Sequence, residues 1–177
     1  MNNIDKIVDI KENVKNYFNE KGFIYGIDRR NIIIAGGFFK SMFHGERPKD
    51  YDVFILNSDS ELYISDILKL NLEPKTRFRE TDSTYIQNKH IKKVFLDIDT
   101  NIQYIFTNYK TRQDLIESFD MQHCKVSYEP FSEKLYISPK TLDVIENKKI
   151  VICKKGSVTE FRIDKLLKKG WSYDVSV

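Results

Sequence analysis

Residues 31–56 read NIIIAGGFFKSMFHGERPKDYDVFIL, and this stretch decides the fold of the chain. It begins with a β-branched apolar run at residues 32–34, which is typical of a buried strand. The pair Gly36 and Gly37 follows and predicts a turn into a short helix, because glycine adopts backbone conformations that other residues avoid. A second apolar strand ends the stretch and opens with Asp50 and Asp52. The order predicts two strands joined through a glycine turn and a helix.

The two aspartates of the second strand are separated by a single residue. Side chains at i and i+2 of a strand point to the same face, so Asp50 and Asp52 project side by side while Tyr51 and Val53 point to the other face. Two like charges held this close need a cation. Carboxylate oxygens suit Mg²⁺ (or Mn²⁺), so the pair predicts a divalent-metal site.

The two glycines supply the complementary part of a nucleotide site. Without Cβ atoms, backbone N–H groups can approach a ligand closely, and the start of a helix favours anions. Gly36 and Gly37 therefore predict a cradle for a phosphate group. A single segment thus combines a predicted phosphate cradle with a predicted metal site.

This combination resembles the polymerase-beta-like nucleotidyltransferase superfamily, whose signature is a Gly-Gly or Gly-Ser turn, a helix and an hDhDh strand, where h is apolar. The matching residues are Gly36, Gly37, Asp50 and Asp52. A second pattern, at residues 103–143, is similar to nucleotidyltransferase-like proteins of large DNA viruses and phages, which are small or minimal members. The resemblance implies an α+β fold with a mixed or antiparallel sheet flanked by helices and a short basic C-terminal helix.

The resemblance also implies an activity. Enzymes of this superfamily transfer a nucleoside monophosphate from an NTP or dNTP to a hydroxyl acceptor, which can be a nucleic-acid 3′ end, another nucleotide or a protein. Their carboxylates bind two Mg²⁺ ions, so Asp50 and Asp52 are the implied metal ligands and catalytic residues. Gly36 and Gly37 are the implied nucleotide-binding turn, and Lys40 is a candidate contact to the β or γ phosphate.

A third carboxylate usually stands on a neighbouring strand in this superfamily. Short alternating runs in this sequence predict antiparallel strands at residues 84–87, 93–98 and 102–107. The natural counterpart of the third carboxylate is then Gln103. Its amide oxygen can reach a metal or a nucleotide, but it carries no charge.

The loop before Gln103 offers a replacement for the third carboxylate. If residues 99–101 form a three-residue hairpin loop, Ile98 lies opposite Ile102 and Asp97 lies opposite Gln103 on one face. Asp99 is then a turn residue. Three alternatives stay open: Asp97 is the third catalytic carboxylate, the site works with two carboxylates, or the site has lost catalysis.

The end of the chain predicts a helix at about residues 158–169. Arg162, Lys165, Lys168 and Lys169 recur along one exposed side of that helix. Such a side can bind a triphosphate or a nucleic-acid backbone, with Lys165 as the candidate nucleotide-binding residue, or it can be a solvated surface.

Four further features have a structural interpretation. Residues 3–20 place apolar side chains at a helical period, and Thr111 is a predicted helix cap. Asp120 either closes a helix-to-strand corner or orients a metal ligand or the incoming base. His123 and Cys124 lack a second pair at zinc-finger spacing, so a structural role is predicted for them.

The length of 177 residues suits one domain with its own core. The predicted division is a nucleotidyltransferase core at residues 1–124 and a C-terminal extension at residues 125–177, packed on the core as a single unit. The extension holds 11 Lys and Arg against 7 Asp and Glu, whereas the core holds 18 against 19. This balance favours polyanion binding by the extension, and a solvated lysine-rich surface explains it equally well.

The sequence shows neither a bilayer-length apolar run nor a signal-peptide pattern, so a cytoplasmic protein with no membrane contact is expected. Its two cysteines give no disulfide framework. Three function classes fit. The first is an enzyme that uses an NTP or dNTP and a possible nucleic-acid acceptor. The second, favoured by Gln103, is a catalytically inactive nucleotide or nucleic-acid binding module. The third is a protein-partner module, antitoxin-like or an inhibitor, for which a protein partner or a homo-oligomer is expected.

Overall fold

A computed structural model describes residues 3–24, 26–71, 78–81, 88–156 and 159–173. The helices of this part are α1 (Asn3–Lys21), α2 (Phe38–Phe43), α3 (Glu61–Asn71), α4 (Arg112–Glu117), α5 (Pro139–Glu146) and α6 (Thr159–Leu167). The strands are β1 (Ile32–Ala35), β2 (Tyr51–Ile55), β3 (Phe78–Glu80), β4 (Ile91–Asp97), β5 (Ile102–Thr107), β6 (Ser127–Glu129), β7 (Lys134–Tyr136), β8 (Lys149–Ile150) and β9 (Ser172–Tyr173).

Seven of these strands form one mixed sheet with the order β3-β4-β5-β2-β1-β6-β7. Strands β2 and β5 run parallel, and the other neighbouring pairs of this sheet run antiparallel. Strands β1 and β2, which come from residues 31–56, lie near its centre. The predicted mixed sheet with flanking helices is confirmed.

One face of the sheet packs against α1, α2 and α3 through an extensive apolar cluster. Helix α1 spans Asn3–Lys21, so the amphipathic helix predicted at residues 3–20 is confirmed. Its buried residues are Ile10, Val14 and Phe18, which recur every four residues on one side of the helix. Burying each such side chain stabilises the fold by about 1.5–3 kcal/mol.

The opposite face of the central strands packs against α4. Ile33, Phe54 and Ile105 belong to a second apolar cluster with two buried residues of that helix. Helix α4 begins at the predicted cap, because the Thr111 hydroxyl accepts a hydrogen bond from the backbone N–H of Asp114. The Asp114 carboxylate in turn accepts the backbone N–H of Thr111, which completes a capping box.

The C-terminal part of the chain contributes directly to the main sheet. Strand β6 pairs with β1, and β7 extends the sheet beyond β6. The predicted boundary at residue 124 therefore does not separate the sheet from the extension. Helices α5 and α6 and strand β8 enclose a third apolar cluster, whose members include Met121, Val144, Ile163, Leu166 and Trp171.

The hairpin between β4 and β5 has a different register from the predicted one. Asp97 pairs with Ile102, whereas Leu96 pairs with Gln103. The loop has four residues rather than three, because Asn101 adopts a left-handed conformation with φ of 54°. A shift of one residue moves a side chain to the other face of a strand, so the prediction that Asp97 faces Gln103 is wrong.

Part of the sequence interpretation lies outside the described residues. The strand predicted at residues 84–87 is in this group, as is residue 158 at the predicted start of the last helix. In the described ranges, α6 begins at Thr159. No helix in these ranges is long and apolar enough to cross a membrane.

Candidate functional site

A cavity of about 230 Å³ lies where the glycine turn, the start of β2 and α6 meet. The glycine turn joins β1 to α2, and the two aspartates come from the start of β2. Of the eight candidate catalytic and nucleotide-binding residues, six line the cavity: Gly36, Gly37, Lys40, Asp50, Asp52 and Lys165. The structure thus brings most of the predicted site together. Asp97 and Gln103 are not among the lining residues.

The glycine turn requires glycine at its first position. Gly36 has a φ of 115°, which L side chains rarely adopt, and a Cβ atom there would stand 3.0 Å from Asp52 Oδ2. Gly37 has an ordinary φ of −70°. A Cβ atom on Gly37 would stand 3.1 Å from Lys40 Nζ, the mobile end of a long side chain. The backbone requirement that the sequence analysis assigned to both glycines therefore lies at Gly36 alone.

This difference predicts unequal effects of alanine at the two glycines. We expect Gly36→Ala to lower the free energy of unfolding by about 1–3 kcal/mol, because it forces a side chain into a strained conformation beside Asp52. Gly37→Ala is the matched control and should change it by less than about 1 kcal/mol. Urea unfolding measures both. Equal losses would show that the turn does not depend on the backbone of Gly36.

The two aspartates sit at the edge between solvent and the sheet. Asp50 is exposed and directly precedes β2, while Asp52 is half-buried within the strand. Asp52 pairs with Gln103 across the parallel β2 and β5 strands. Paired residues of neighbouring strands point to the same face, so Gln103 lies beside Asp52 at the position where the third carboxylate was expected.

Asp97 lies away from this cavity. Its strand partner Ile102 belongs to the apolar cluster under α1, so Asp97 points to the face opposite Asp52 and Gln103. Asp97 is fully buried, and its Oδ1 accepts the backbone N–H of Asp99 at 3.1 Å. This contact is a turn interaction within the hairpin. The geometry that would have made Asp97 the third carboxylate of the site is therefore absent.

Cations outnumber carboxylates in the lining of the cavity. Arg162 and Lys165 come from α6, and Lys169 follows that helix on the same side. Lys40 contributes from α2, and Lys49 contributes from the residues just before β2. Two of these five cations also have partners outside the lining: Arg162 pairs with Asp120, and Lys169 pairs with Glu46. Counted with Asp50 and Asp52, four carboxylates oppose five cations, so the cavity keeps a net positive charge and attracts anions.

Asp120 holds α6 against the site. Arg162 Nη1 donates to Asp120 Oδ1 at 2.6 Å, and Thr159 Oγ1 donates to Oδ2 at 3.0 Å. The main-chain oxygen of Asp120 also accepts the backbone N–H of Cys153 at 2.7 Å. Of the two predicted roles of Asp120, these contacts match the structural one, in which it closes a corner of the fold. Asp120 orients Arg162 rather than a metal ligand.

Lys40 is the most enclosed cation in this cluster. Its Nζ donates to the main-chain oxygen of Gly37 at 2.9 Å. Burial lowers the pKa of Lys40, and the nearby Lys169 and Lys165 lower it further. A bound phosphate would favour the charged ammonium group, so the pKa of Lys40 should rise when an anion enters the cavity.

His123 and Cys124 also line the cavity, on a 3₁₀ helix formed by Gln122–Cys124. Burial, with smaller contributions from the charges of Lys40 and Arg162, lowers the pKa of His123 to about 3. Burial raises the pKa of Cys124 to about 11. Both side chains are thus neutral near pH 7, and Cys124 is not an activated nucleophile.

Sequence reasoning did not place three of the polar lining residues at the cavity: Lys49, His123 and Cys124. Lys49 had a signal, because it directly precedes Asp50. The other two had none, since they reach the cavity only through the tertiary packing of α5 and α6 around the 3₁₀ helix. For Arg162, Lys165 and Lys169 the helical spacing was the signal.

Solved structures of tRNA-processing enzymes have a similar fold. The Thermotoga maritima CCA-adding enzyme complexed with tRNA gives a TM-score of 0.57 at 10% identity, over 97% of this chain and 40% of that chain. The Bacillus stearothermophilus CCA-adding enzyme in complex with CTP gives 0.52 at 10% identity, over 99% and 42%. A tRNA nucleotidyltransferase with a primer tRNA and an incoming ATP analog gives 0.53 at 11% identity, over 92% and 47%.

The chain therefore spans less than half the length of these structures. At such low identity the similarity shows the fold alone, and it confirms the predicted α+β fold of the polymerase-beta-like nucleotidyltransferases. The glycine turn and the β2 aspartates lie within this common fold.

A comparison with curated proteins finds no match. One protein family, described as Gabija anti-defense 2 family protein, matches residues 8–148. The matched range includes the glycine turn, both aspartates of β2 and Gln103, and it ends before α6. Because this range is well over half of the sequence, the chain belongs to the Gabija anti-defense 2 family.

Proposed function

We propose that this chain is a metal-dependent nucleotidyltransferase that transfers a nucleoside monophosphate from an NTP or dNTP to a hydroxyl acceptor. The observation that carries the proposal is the composition of the 230 Å³ cavity, in which a carboxylate pair faces a group of cations beside a glycine turn. Metal-bound triphosphate needs both charge types within one site. The common fold with nucleotidyltransferases supports the same reading.

The residues present suit Mg²⁺ (or Mn²⁺). Asp50 and Asp52 would hold the ion, with the amide oxygen of Gln103 next to Asp52. In the described part of the chain, no group of three or more His, Cys, Asp and Glu side chains could hold a metal by itself. Proteins nevertheless often supply only one or two carboxylate ligands to Mg²⁺, because substrate phosphates and water molecules complete its coordination. When bound, the ion would neutralise charge on the triphosphate.

The cations of the cavity would bind and orient the triphosphate. Lys40, enclosed against the glycine turn, is placed to contact the β or γ phosphate, and Lys165 and Arg162 would contact it from α6. In the transfer, the acceptor oxygen bonds to the α-phosphorus as the bond to pyrophosphate breaks, and the hydroxyl proton leaves to solvent. Fixed cations around the leaving group favour this step.

The proposed partners are an NTP or dNTP and an acceptor that carries a hydroxyl group: a nucleic-acid 3′ end, a nucleotide or a protein. The solved neighbours are described with tRNA, CTP and an ATP analog. The family description adds an anti-defense context, so we propose that the transfer acts against a defence system in the cytoplasm.

A second candidate function is inhibition without catalysis. Gln103 favours it, because a neutral amide lies beside Asp52 where enzymes of this fold usually have a carboxylate. In this case the chain would act as a nucleotide-binding module or as an inhibitor bound to a protein partner. An anti-defense family is compatible with either candidate.

One experiment separates the candidates. NTP binding is measured by calorimetry with Mg²⁺ and with a chelator, and labelled products are then sought with each NTP and dNTP. The enzyme predicts Mg²⁺-dependent binding and a labelled product. NTP binding without a labelled product would support the nucleotide-binding module. Absence of both NTP binding and product would support the inhibitor.

A further inference from the structure

A second cavity, of about 690 Å³, adjoins the first. We propose that it binds the acceptor, and that this acceptor carries nucleotide phosphates: it is a nucleic-acid end or a free nucleotide. The proposal rests on the nucleotidyltransferase function, which requires an acceptor hydroxyl near the donor triphosphate. The volume of the second cavity lies within the usual range of ligand sites.

The two cavities are neighbours along the same strand. Phe119 and Arg162 line both of them. Asp52 lines the first cavity and Phe54 lines the second. Because these two residues are i and i+2 on β2, they point to the same face about 7 Å apart. A molecule in the second cavity is thus within one nucleotide's length of the carboxylates.

The charges of the second cavity favour an anionic ligand. Its carboxylates already have partners: Asp120 binds Arg162 and Thr159, Asp114 caps α4, and Glu117 accepts from Gln113 at 2.7 Å. Lys89, Lys154 and Lys155 also line the cavity, and none of the three has an ion-pair partner in the described ranges. Only Asp120 has a cationic partner, since the groups that donate to Asp114 and Glu117 are neutral. Four cations nevertheless line the cavity against three carboxylates, and this net positive charge favours phosphate groups.

The walls also offer aromatic surface. Phe119 is half-buried, and its ring centroid lies 5.6 Å from that of Phe54. The His90 ring stacks on Tyr109 at 4.7 Å with an angle of 24°, and Asn88 donates to the Tyr109 hydroxyl at 3.0 Å. Phe54 and Tyr109 are buried, whereas Phe119 and His90 keep part of their surface exposed. A base of any sequence can stack on a partly exposed ring of this kind. Aromatic and cationic groups together match a nucleotide better than an uncharged protein segment.

The test measures binding rather than turnover. Fluorescein-labelled single-stranded RNA and DNA dodecamers are titrated by anisotropy into the full chain and into the double variant Lys154→Gln with Lys155→Gln. We expect the dissociation constant to rise at least about tenfold and the salt slope to fall by about 2, because each lost phosphate contact removes about one unit. The double variant Lys134→Gln with Lys140→Gln removes the same charge from exposed positions outside both cavities and should have no such effect.

The outcomes separate this inference from the proposed function. Calorimetry with Mg²⁺ and an NTP reports the first cavity, and the Lys154 and Lys155 variant should leave that affinity unchanged. Competition by unlabelled AMP would identify a free nucleotide as the acceptor, whereas binding by dodecamers alone would identify a chain end. The inference is overturned if the parent chain binds neither probe or if the two lysines do not affect binding. It is also overturned if the labelled-product experiment that tests the proposed function transfers label only to a protein. If the parent chain does not bind NTP, this result instead contradicts the proposed function.

Discussion

Replacing Asp50 and Asp52 together by asparagine is expected to abolish Mg²⁺-dependent nucleotidyl transfer. The pair supplies the two carboxylates that line the 230 Å³ cavity, and an amide oxygen carries no charge with which to bind the ion. A loss of ~10³-fold or more in kcat/KM is expected, which corresponds to about 4 kcal/mol of transition-state stabilisation. Initial rates over a Mg²⁺ series measure it.

The same double variant should remain folded. Asp50 is exposed and Asp52 is half-buried, so no core packing is lost. Relief of repulsion between the carboxylates should leave the metal-free stability unchanged or slightly higher. The double variant Asp9→Asn with Glu12→Gln, at exposed positions of α1, removes the same charge away from the site and should keep full activity. Full activity in the Asp50 and Asp52 variant would mean that these residues hold no catalytic metal.

The sequence of residues 31–56 was sufficient to predict the centre of the fold. Its pattern is local: apolar runs for β1 and β2, glycines for the turn, and two aspartates one residue apart. The structure places these groups around one cavity because β1 and β2 are adjacent strands and α2 connects them. Local patterns of this kind survive folding, since the strand period alone determines which side chains share a face.

The contributions from distant parts of the chain could not be predicted in this way. Strands β6 and β7 have three residues each, too few for a clear alternating pattern, yet they extend the central sheet beyond residue 124. The basic side of the last helix was predicted from its helical spacing, but the contact between Arg162 and Asp120 that holds it at the cavity joins residues 42 positions apart. Such contacts depend on tertiary packing, which the helical or strand periodicity of a sequence does not predict.

The predicted register of the β4–β5 hairpin was wrong, and this error changed which residue was expected in the site. The sequence predicted a loop of three residues between β4 and β5, and the four-residue loop depends on whether Asn101 takes a left-handed conformation. It does, with φ of 54°, and Asp97 therefore points into the α1 side of the sheet. Gln103 is left as the neighbour of Asp52.

This geometry predicts opposite results for two single substitutions. Gln103→Asp places a carboxylate beside Asp52 and should lower the Mg²⁺ concentration for half-maximal activity by about tenfold, or about 1.4 kcal/mol, because it adds a charged ligand. Gln103→Asn is its uncharged control and should not improve Mg²⁺ binding.

Asp97→Ala should instead leave the Mg²⁺ dependence unchanged and lower the free energy of unfolding by about 1–3 kcal/mol, because the backbone N–H of Asp99 loses its partner inside the hairpin. Mg²⁺ titrations of activity and urea unfolding, run on the same preparations, distinguish the two effects. If Asp97→Ala stays folded but loses transfer while Gln103→Asp gains nothing, then Asp97 contributes to the site despite its burial on the opposite face. If Gln103→Asp creates transfer in a parent that shows none, the chain is a binding module whose catalysis was lost at this one position.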